Sequence, residues 1–109
     1  MIPTALIRPE QHSRTGAGTI PVTLNVARAF RFRLVIENDA SSTGDITAIA
    51  WRKSAVGDHY GPSESLTVSS PVAPGDSWGA SDHGDCVDQL EVTITVDDDA
   101  TINVSLAGV

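Results

Sequence analysis

A strict alternation of apolar and polar residues constrains the fold of this chain more than any other feature. Val22, Leu24 and Val26 alternate with polar or small residues, and the same period runs through residues 30–36 and 90–96. A period of two places every apolar side chain of a run on one face of an extended strand. The pattern therefore predicts antiparallel β-strands with one face on a core and the other face in water.

Clusters of turn-forming residues separate the alternating runs. Gly, Pro, Asn, Asp and Ser gather in residues 38–44, 56–62 and 71–75. Pro74-Gly75 suits the centre of a type II turn. The intervening segments are rich in Ile, Thr and Val and predict further strands, and no segment has a helical period with caps. We therefore expect an all-β fold, an antiparallel β-sandwich of the immunoglobulin-like or jelly-roll type with about six to eight strands.

The first segment of the chain differs from the rest. A chain of 109 residues is one domain by size. We divide it into an extended N-terminal arm, residues 1–18, which is polar and glycine-rich, and a sandwich domain, residues 19–109. The arm is either a frayed terminus with one edge strand or a segment that docks on a neighbouring subunit. In the docking interpretation the contact residues are Leu6, Ile7, Arg8 and Arg14.

Charge and composition exclude several classes of function. The net charge is −7, and all seven Lys and Arg lie in residues 1–53. The acidic second half offers no cation to meet phosphate, so we expect no nucleic-acid partner. No apolar stretch approaches the roughly 18 residues of a membrane span, and no signal peptide is recognisable at the start. Because Cys86 is the sole cysteine, an intramolecular disulfide is impossible.

Two acidic segments could bind a metal ion. Residues 82–88 contain Asp82, His83 and Asp85, but the mixture of hard and soft donors at this spacing matches no established metal-binding loop. We interpret this segment as a solvated turn.

The second acidic segment is Asp97, Asp98 and Asp99. These residues could chelate calcium at a hairpin tip, but three successive side chains rarely converge on one ion. We interpret them as a short acidic hairpin loop that opposes aggregation. The prediction is no metal and no cofactor, with calcium as the alternative.

The sequence contains no pattern typical of catalysis. Ser81-Asp82-His83 has the residue types of a hydrolytic triad, but triads are defined by convergent geometry and not by adjacency. The chain has no nucleophile elbow and no phosphate-binding glycine loop. We therefore predict that the protein is not an enzyme.

Two further groups of residues are candidates for binding. Arg31 and Arg33 lie on the strand face opposite Phe30 and Phe32, where they form either a solvated face or a docking face for an acidic surface, such as the acidic half of a neighbouring copy.

The second group consists of the aromatic residues Trp51, Tyr60 and Trp78. They could stack on sugar rings if they were exposed in a row. The alternative, which we favour for the tryptophans, is burial in the core or under a lid.

The order of strands and turns resembles a known kind of module. The segments that carry the resemblance are residues 35–39, 43–47, 72–77 and 90–97, in which an Asn-containing turn, a Pro-Gly turn and a late strand follow one another. They resemble the immunoglobulin-like modules of phage structural proteins and of bacterial surface proteins, including CARDB-type domains.

The resemblance implies a structural component of a phage virion, such as a capsid decoration protein or a head or tail accessory protein. Such a protein would be made in the bacterial cytoplasm and would bind other protein subunits, often as a homo-oligomer. The alternative function is an immunoglobulin-like module that binds carbohydrate or another cell-surface ligand.

Overall fold

The protein consists of β-strands joined by turns. The structure, a computed structural model, describes residues 4–54 and 59–108, and the side chains of these residues except 4–8, 27–30, 83–86 and 108. The strands are β1 (Thr4–Arg14), β2 (Gly18–Asn38), β3 (Ile46–Ser54), β4 (Glu64–Leu66), β5 (Ser77–Val96) and β6 (Ala100–Gly108). Within the described residues the structure contains no helix, and hence none suited to crossing a membrane.

Two long strands fold the sheet into two layers. All pairings are antiparallel, in the order β1-β6-β2-β5-β3-β4. The register of β2 against β5 shifts between Asn25 and Arg31, which divides each strand into two halves. The first half of β2 and the second half of β5 form layer one with β3 and β4. The other two halves form layer two with β6 and β1. The predicted β-sandwich is confirmed, with eight strand segments in two layers of four.

The alternating apolar residues fill the space between the layers. Leu24 and Leu90 from layer one and Leu34 and Leu106 from layer two are all fully buried. Burying such a side chain stabilises the folded state by about 1.5–3 kcal/mol relative to leaving it exposed. The period of two in the sequence therefore produces one continuous core.

The sandwich has two dissimilar ends. At one end, which we call the loop end, lie the connections made by residues 15–17, 39–45, 67–76 and 97–99. At the other end, the bend end, β2 and β5 cross from one layer to the other. The turn at residues 73–76 has the predicted type II form, since Asp76 N–H donates to Ala73 O at 2.9 Å and Gly75 has φ of 89°.

The N-terminal segment belongs to the sandwich. We expected residues 1–18 to form an arm outside the domain, but residues 4–14 form β1, the edge strand of layer two, which pairs with β6. The interpretation as an edge strand therefore describes this segment in the structure, and the boundary at residue 18 does not separate an arm from a domain. The reason is that extended backbone completes its hydrogen bonds on the open edge of β6.

The prediction of a hairpin at residues 97–99 is wrong. The strand before it, β5, pairs with β2 and β3, whereas the strand after it, β6, pairs with β1 and β2. The three aspartates therefore carry the chain from layer one to layer two. A local sequence pattern cannot distinguish this connection from a hairpin, because both join two alternating runs through a short polar segment.

The solvated turn predicted at residues 82–88 is also a strand in the structure. These residues lie inside β5, and Asp82 pairs with Phe32. The segment runs across the bend of β5, where the register against β2 shifts between Ala29 and Arg31. The pairing with β2 makes it a strand despite its weak local preference.

Candidate functional site

Arg31 and Arg33 lie on the outer face of layer two. Both side chains are exposed, while Phe32 between them is buried. Among the described residues neither arginine takes part in an ion pair. Exposed guanidinium groups are suited to contact with an acidic surface, as a docking face requires.

The position of Arg33 is set by its neighbours on β5. Its Nη1 donates to Ser81 Oγ at 3.1 Å. A Cβ at Gly79 would lie 2.6 Å from Arg33 Nη2 and 3.0 Å from Arg33 Cζ. The glycine therefore leaves the space in which the guanidinium group lies against the edge strand.

The same face contains a shallow depression next to the arginine strand. It has a volume of about 270 Å³, and Pro9, Val35 and Glu37 are among the residues that line it, with Ser77, Asn103 and Ser105. Most of these side chains are small, so the face is nearly flat. A flat face with a few exposed cations suits contact with another protein surface better than enclosure of a small molecule.

The loop end carries a concentration of carboxylates. Its connections contain six aspartates, Asp39, Asp45, Asp76, Asp97, Asp98 and Asp99. None of the six is ion-paired to a residue that the structure describes. This end is therefore strongly negative, although the order of charges along the chain gave no direct indication that these six residues meet.

The three aspartates predicted as an alternative calcium site hold backbone groups instead. Asp97 Oδ1 accepts the Asp45 N–H at 2.7 Å, and Asp99 Oδ1 accepts the Gly16 N–H at 2.6 Å. Asp98 Oδ1 accepts the N–H of Asp99 at 2.8 Å. Each carboxylate thus joins a different piece of backbone at the loop end. Among the described residues no group of three His, Cys, Asp or Glu is placed to hold a metal ion.

Asp39 is the acid at this end whose ionisation is shifted. The side-chain hydroxyl of Ser41 and then its backbone N–H donate to Asp39 Oδ2 and lower the pKa of the carboxyl group below its usual value. Hydrogen bonds to the charged form produce this direction of shift. Asp39 therefore stays negative over the whole neutral range.

Of the three candidate metal ligands in residues 82–88, the structure describes the side chain of Asp82. Asp82 Oδ2 accepts a hydrogen bond from Lys53 Nζ at 3.2 Å, which joins β5 to β3. The side chains of His83, Asp85 and Cys86 lie outside the described part of the structure, as do those of Leu6, Ile7 and Arg8. Arg14 is exposed, and its Nη2 donates to Ala17 O at 3.0 Å.

The three aromatic residues predicted as a ligand platform are not brought together. Trp51 is 4% exposed and packs its ring edge-to-face on Phe32, with 5.7 Å between ring centroids. Tyr60 is half-buried near the bend end, where its hydroxyl donates to Gln89 Oε1 at 3.0 Å. Trp78 is half-buried at the start of β5, towards the loop end. The preferred core interpretation holds for Trp51, and a row of stacked sugar rings is excluded.

Trp78 lines a groove that contains neither of the other two aromatic residues. Its Nε1 donates to Thr67 O at 3.1 Å, which fixes the indole against the connection before β5. The groove has a volume of about 390 Å³, and its other lining residues are Ser69, Ser70, Pro71, Val72, Asp76 and Ser77. Hydroxyl groups, one carboxylate and one aromatic ring are thus within reach of a small polar ligand.

Asn38 is a key residue that sequence reasoning assigned only to a turn. It is fully buried, and its Nδ2 donates to Gly44 O at 2.9 Å and to Val72 O at 2.8 Å. Its own backbone N–H donates to Asp76 O at 2.9 Å. Asn38 therefore fixes two of the loop-end connections and, through them, the positions of the aspartates.

The comparisons with known proteins support the fold and do not indicate a function. No family model matches the chain, and no curated protein matches it in sequence. One similar solved structure is the pre-peptidase C-terminal domain of collagenase from Bacillus anthracis, with a TM-score of 0.57 and 17% identity over 93% of this chain and 89% of that domain. Another is a chain in the structure of infectious bursal disease virus, Gt strain, with a TM-score of 0.54 and 10% identity. It matches 97% of this chain, which spans 32% of the viral chain.

These similarities define a class of protein by its architecture, the two-layered antiparallel β-sandwich. They support the resemblance stated above at that level and do not extend to phage decoration proteins or CARDB-type domains. The architecture occurs in a domain attached to an enzyme and in a chain of a virus particle. Fold does not decide between such uses, so function has to be argued from the surfaces.

Proposed function

We propose that this protein is a non-catalytic structural subunit that binds other protein subunits in a larger assembly, as a component of a phage-like virion. Its partners are proteins, including further copies of itself, and neither nucleic acid nor membrane is a partner. The presence of a similar sandwich in a virus structure supports this use of the fold. The observation that carries the proposal is the separation of charge between two surfaces of one small sandwich.

The two charged surfaces complement each other. The loop end presents six carboxylates, and the outer face of layer two presents the exposed Arg31 and Arg33. Because one surface lies at an end of the molecule and the other on a side, they cannot satisfy each other within one chain. Contact between the end of one copy and the side of the next satisfies both, and such head-to-tail contacts build rings or extended arrays.

Charge reversal tests the contact. Arg31→Glu with Arg33→Glu should abolish association, as should Asp45→Lys with Asp76→Lys. Neither aspartate side chain accepts a hydrogen bond from a described residue, so both can be changed with little effect on the fold. Sedimentation velocity measures association, and thermal unfolding checks that each variant is folded.

Mixing the two variants provides the control. The arginine variant should bind the aspartate variant, because the unchanged loop end of the first can contact the unchanged Arg31 and Arg33 of the second. Restored association in the mixture supports the proposal. Wild-type oligomers that persist in both separate variants would contradict it, as would a mixture that stays monomeric while the wild-type protein associates.

The groove at Trp78 favours a second candidate function, a ligand-binding module. A single sugar ring fits a surface made of one indole, several hydroxyl groups and a carboxylate. In a Trp51→Phe variant, Trp78 is the sole tryptophan. Its fluorescence emission therefore reports directly on the groove. A saturable change in emission on titration with oligosaccharides would support this function, and constant emission would remove it.

A further inference from the structure

We infer that β1 is an exchangeable strand, which leaves its own sandwich and pairs with β6 of a second copy of this chain. The inference rests on the proposed assembly function and names a contact by which copies are joined. Four properties of the segment carry it: its polarity on both sides, its shifting register, its glycine-containing hinge and its edge position.

The side chains that the structure describes in β1, those of residues 9–14, are polar on both sides of the strand except for Pro9. Glu10, His12 and Arg14 alternate with Pro9, Gln11 and Ser13, and each of these side chains is exposed or half-buried. Among the described side chains the core receives none from β1. Residues 9–14 are therefore held by backbone pairing and by a few polar contacts. Examples are Ser13 Oγ to Thr101 Oγ1 at 3.0 Å and Gln11 Nε2 to Asn103 Oδ1 at 3.4 Å.

The pairing of β1 with β6 is irregular. Its register shifts twice within the strand, between Ala5 and Ile7 and again between Ile7 and Glu10. A strand with one buried face has its register fixed by that face, whereas a strand that is polar on both sides is prone to slippage and to exchange between molecules. Residues 9–14, the part of β1 whose side chains the structure describes, meet the second condition, and the long alternating halves of β2 meet the first.

The connection from β1 to β2 can act as a hinge. Residues 15–17 carry the chain from layer two to layer one, and Gly16 has φ of 80° with no atom within 4 Å of the position of a Cβ. The turn is held by the Gly16 N–H bond to Asp99 Oδ1 and by the Arg14 bond to Ala17 O. Opening the hinge breaks these two contacts, while every β1–β6 contact is formed again in the second copy. The exchanged and closed forms thus differ little in contacts, which is the condition for domain swapping.

Two single-cysteine proteins test the exchange in the full chain. Ser13 lies directly opposite Thr101, so Ser13→Cys in one protein and Thr101→Cys in another meet only when β1 of one copy pairs with β6 of the other. Cys86→Ser in both proteins removes the sole native thiol. The two reduced proteins, with different affinity tags, are mixed at high concentration and then oxidised. Non-reducing electrophoresis identifies the products.

The expected product is a disulfide between the two different proteins. Its share of all disulfides should be clearly above the share that random pairing of thiols gives, and it should rise with protein concentration. The matched control is Thr19→Cys mixed with Thr95→Cys, also directly opposite each other but on the core strands β2 and β5. This pair should give no excess of mixed disulfide. An excess of mixed disulfide from Ser13→Cys with Thr101→Cys, and none from the control pair, supports exchange.

If Ser13→Cys and Thr101→Cys give no more mixed disulfide than the control pair, the inference is overturned. Sedimentation of the same mixture separates this failure from a failure of the proposed function. Oligomers without an excess of mixed disulfide leave the assembly function standing and refute exchange. Monomers without any mixed disulfide refute exchange and contradict the assembly function as well.

Discussion

Asn38 shows how a single residue can organise one end of this molecule. The sequence marks it as a turn former, which it is, since β2 ends there. Its amide group, however, is buried between two connections that are distant from each other in the chain. No local pattern distinguishes an asparagine that faces water from one that binds two buried carbonyl groups, because the partners come from Gly44 and Val72.

Replacing Asn38 by Ala should lower the free energy of unfolding by about 2–3 kcal/mol, because two buried hydrogen bonds are lost. The Val72 oxygen keeps the bond from the Ile46 N–H. Urea denaturation measures the change. The matched control is Asn103→Ala, since Asn103 donates to Glu37 Oε1 in an exposed bond and should cost less than about 1 kcal/mol. Equal losses in the two variants would show that the Asn38 bonds have no special weight.

The two tryptophans should differ sharply in their access to solvent. The sequence could not separate them, because each lies near the end of a predicted strand. Trp51 lies on β3, whose pairing with the second half of β5 turns the ring into the core, and Trp78 lies on an edge. Acrylamide should quench the Trp78 emission of a Trp51→Phe variant strongly. The Trp51 emission of a Trp78→Phe variant should be shielded until the protein unfolds, and similar quenching in both would contradict the structure.

At the scale of the elements, alternation predicted the strands that face the core and missed the rest. It located both halves of β2 and the second half of β5, where every second described side chain is buried. It did not predict the first half of β5, which lies in the second layer, because that half contains Gly, Ser and Asp. The pairing of residues distant in sequence decides such segments.

The contact between two loop-end connections should make Gly44 sensitive to substitution. A Cβ at this position would lie 2.5 Å from the carbonyl oxygen of Asp98, which is backbone and cannot rotate away. Gly44→Ala should therefore lower the free energy of unfolding by about 2 kcal/mol or more. Gly61→Ala is the control, since its Cβ would lie 3.6 Å from the nearest atom, Lys53 O. A harmless Gly44→Ala, measured by thermal unfolding, would refute this packing.

At the scale of the whole molecule, the fold sorts the charges differently from the sequence. The chain divides into a half that contains all the basic residues and an acidic half. The sandwich interleaves these halves, yet it gathers aspartates from both at the loop end and leaves Arg31 and Arg33 on a side. The sequence could raise the possibility of association through opposite charges. The topology identifies the two surfaces that the proposed contact would join.

The central claim is that copies of this chain associate through those surfaces, and native mass spectrometry of the 109-residue protein tests it most directly. Spectra recorded over a range of ammonium acetate concentrations should show oligomers at low ionic strength. These should lose subunits as the concentration rises, because salt screens exposed charges. Monomers at every concentration, or oligomers indifferent to ionic strength, would contradict the account.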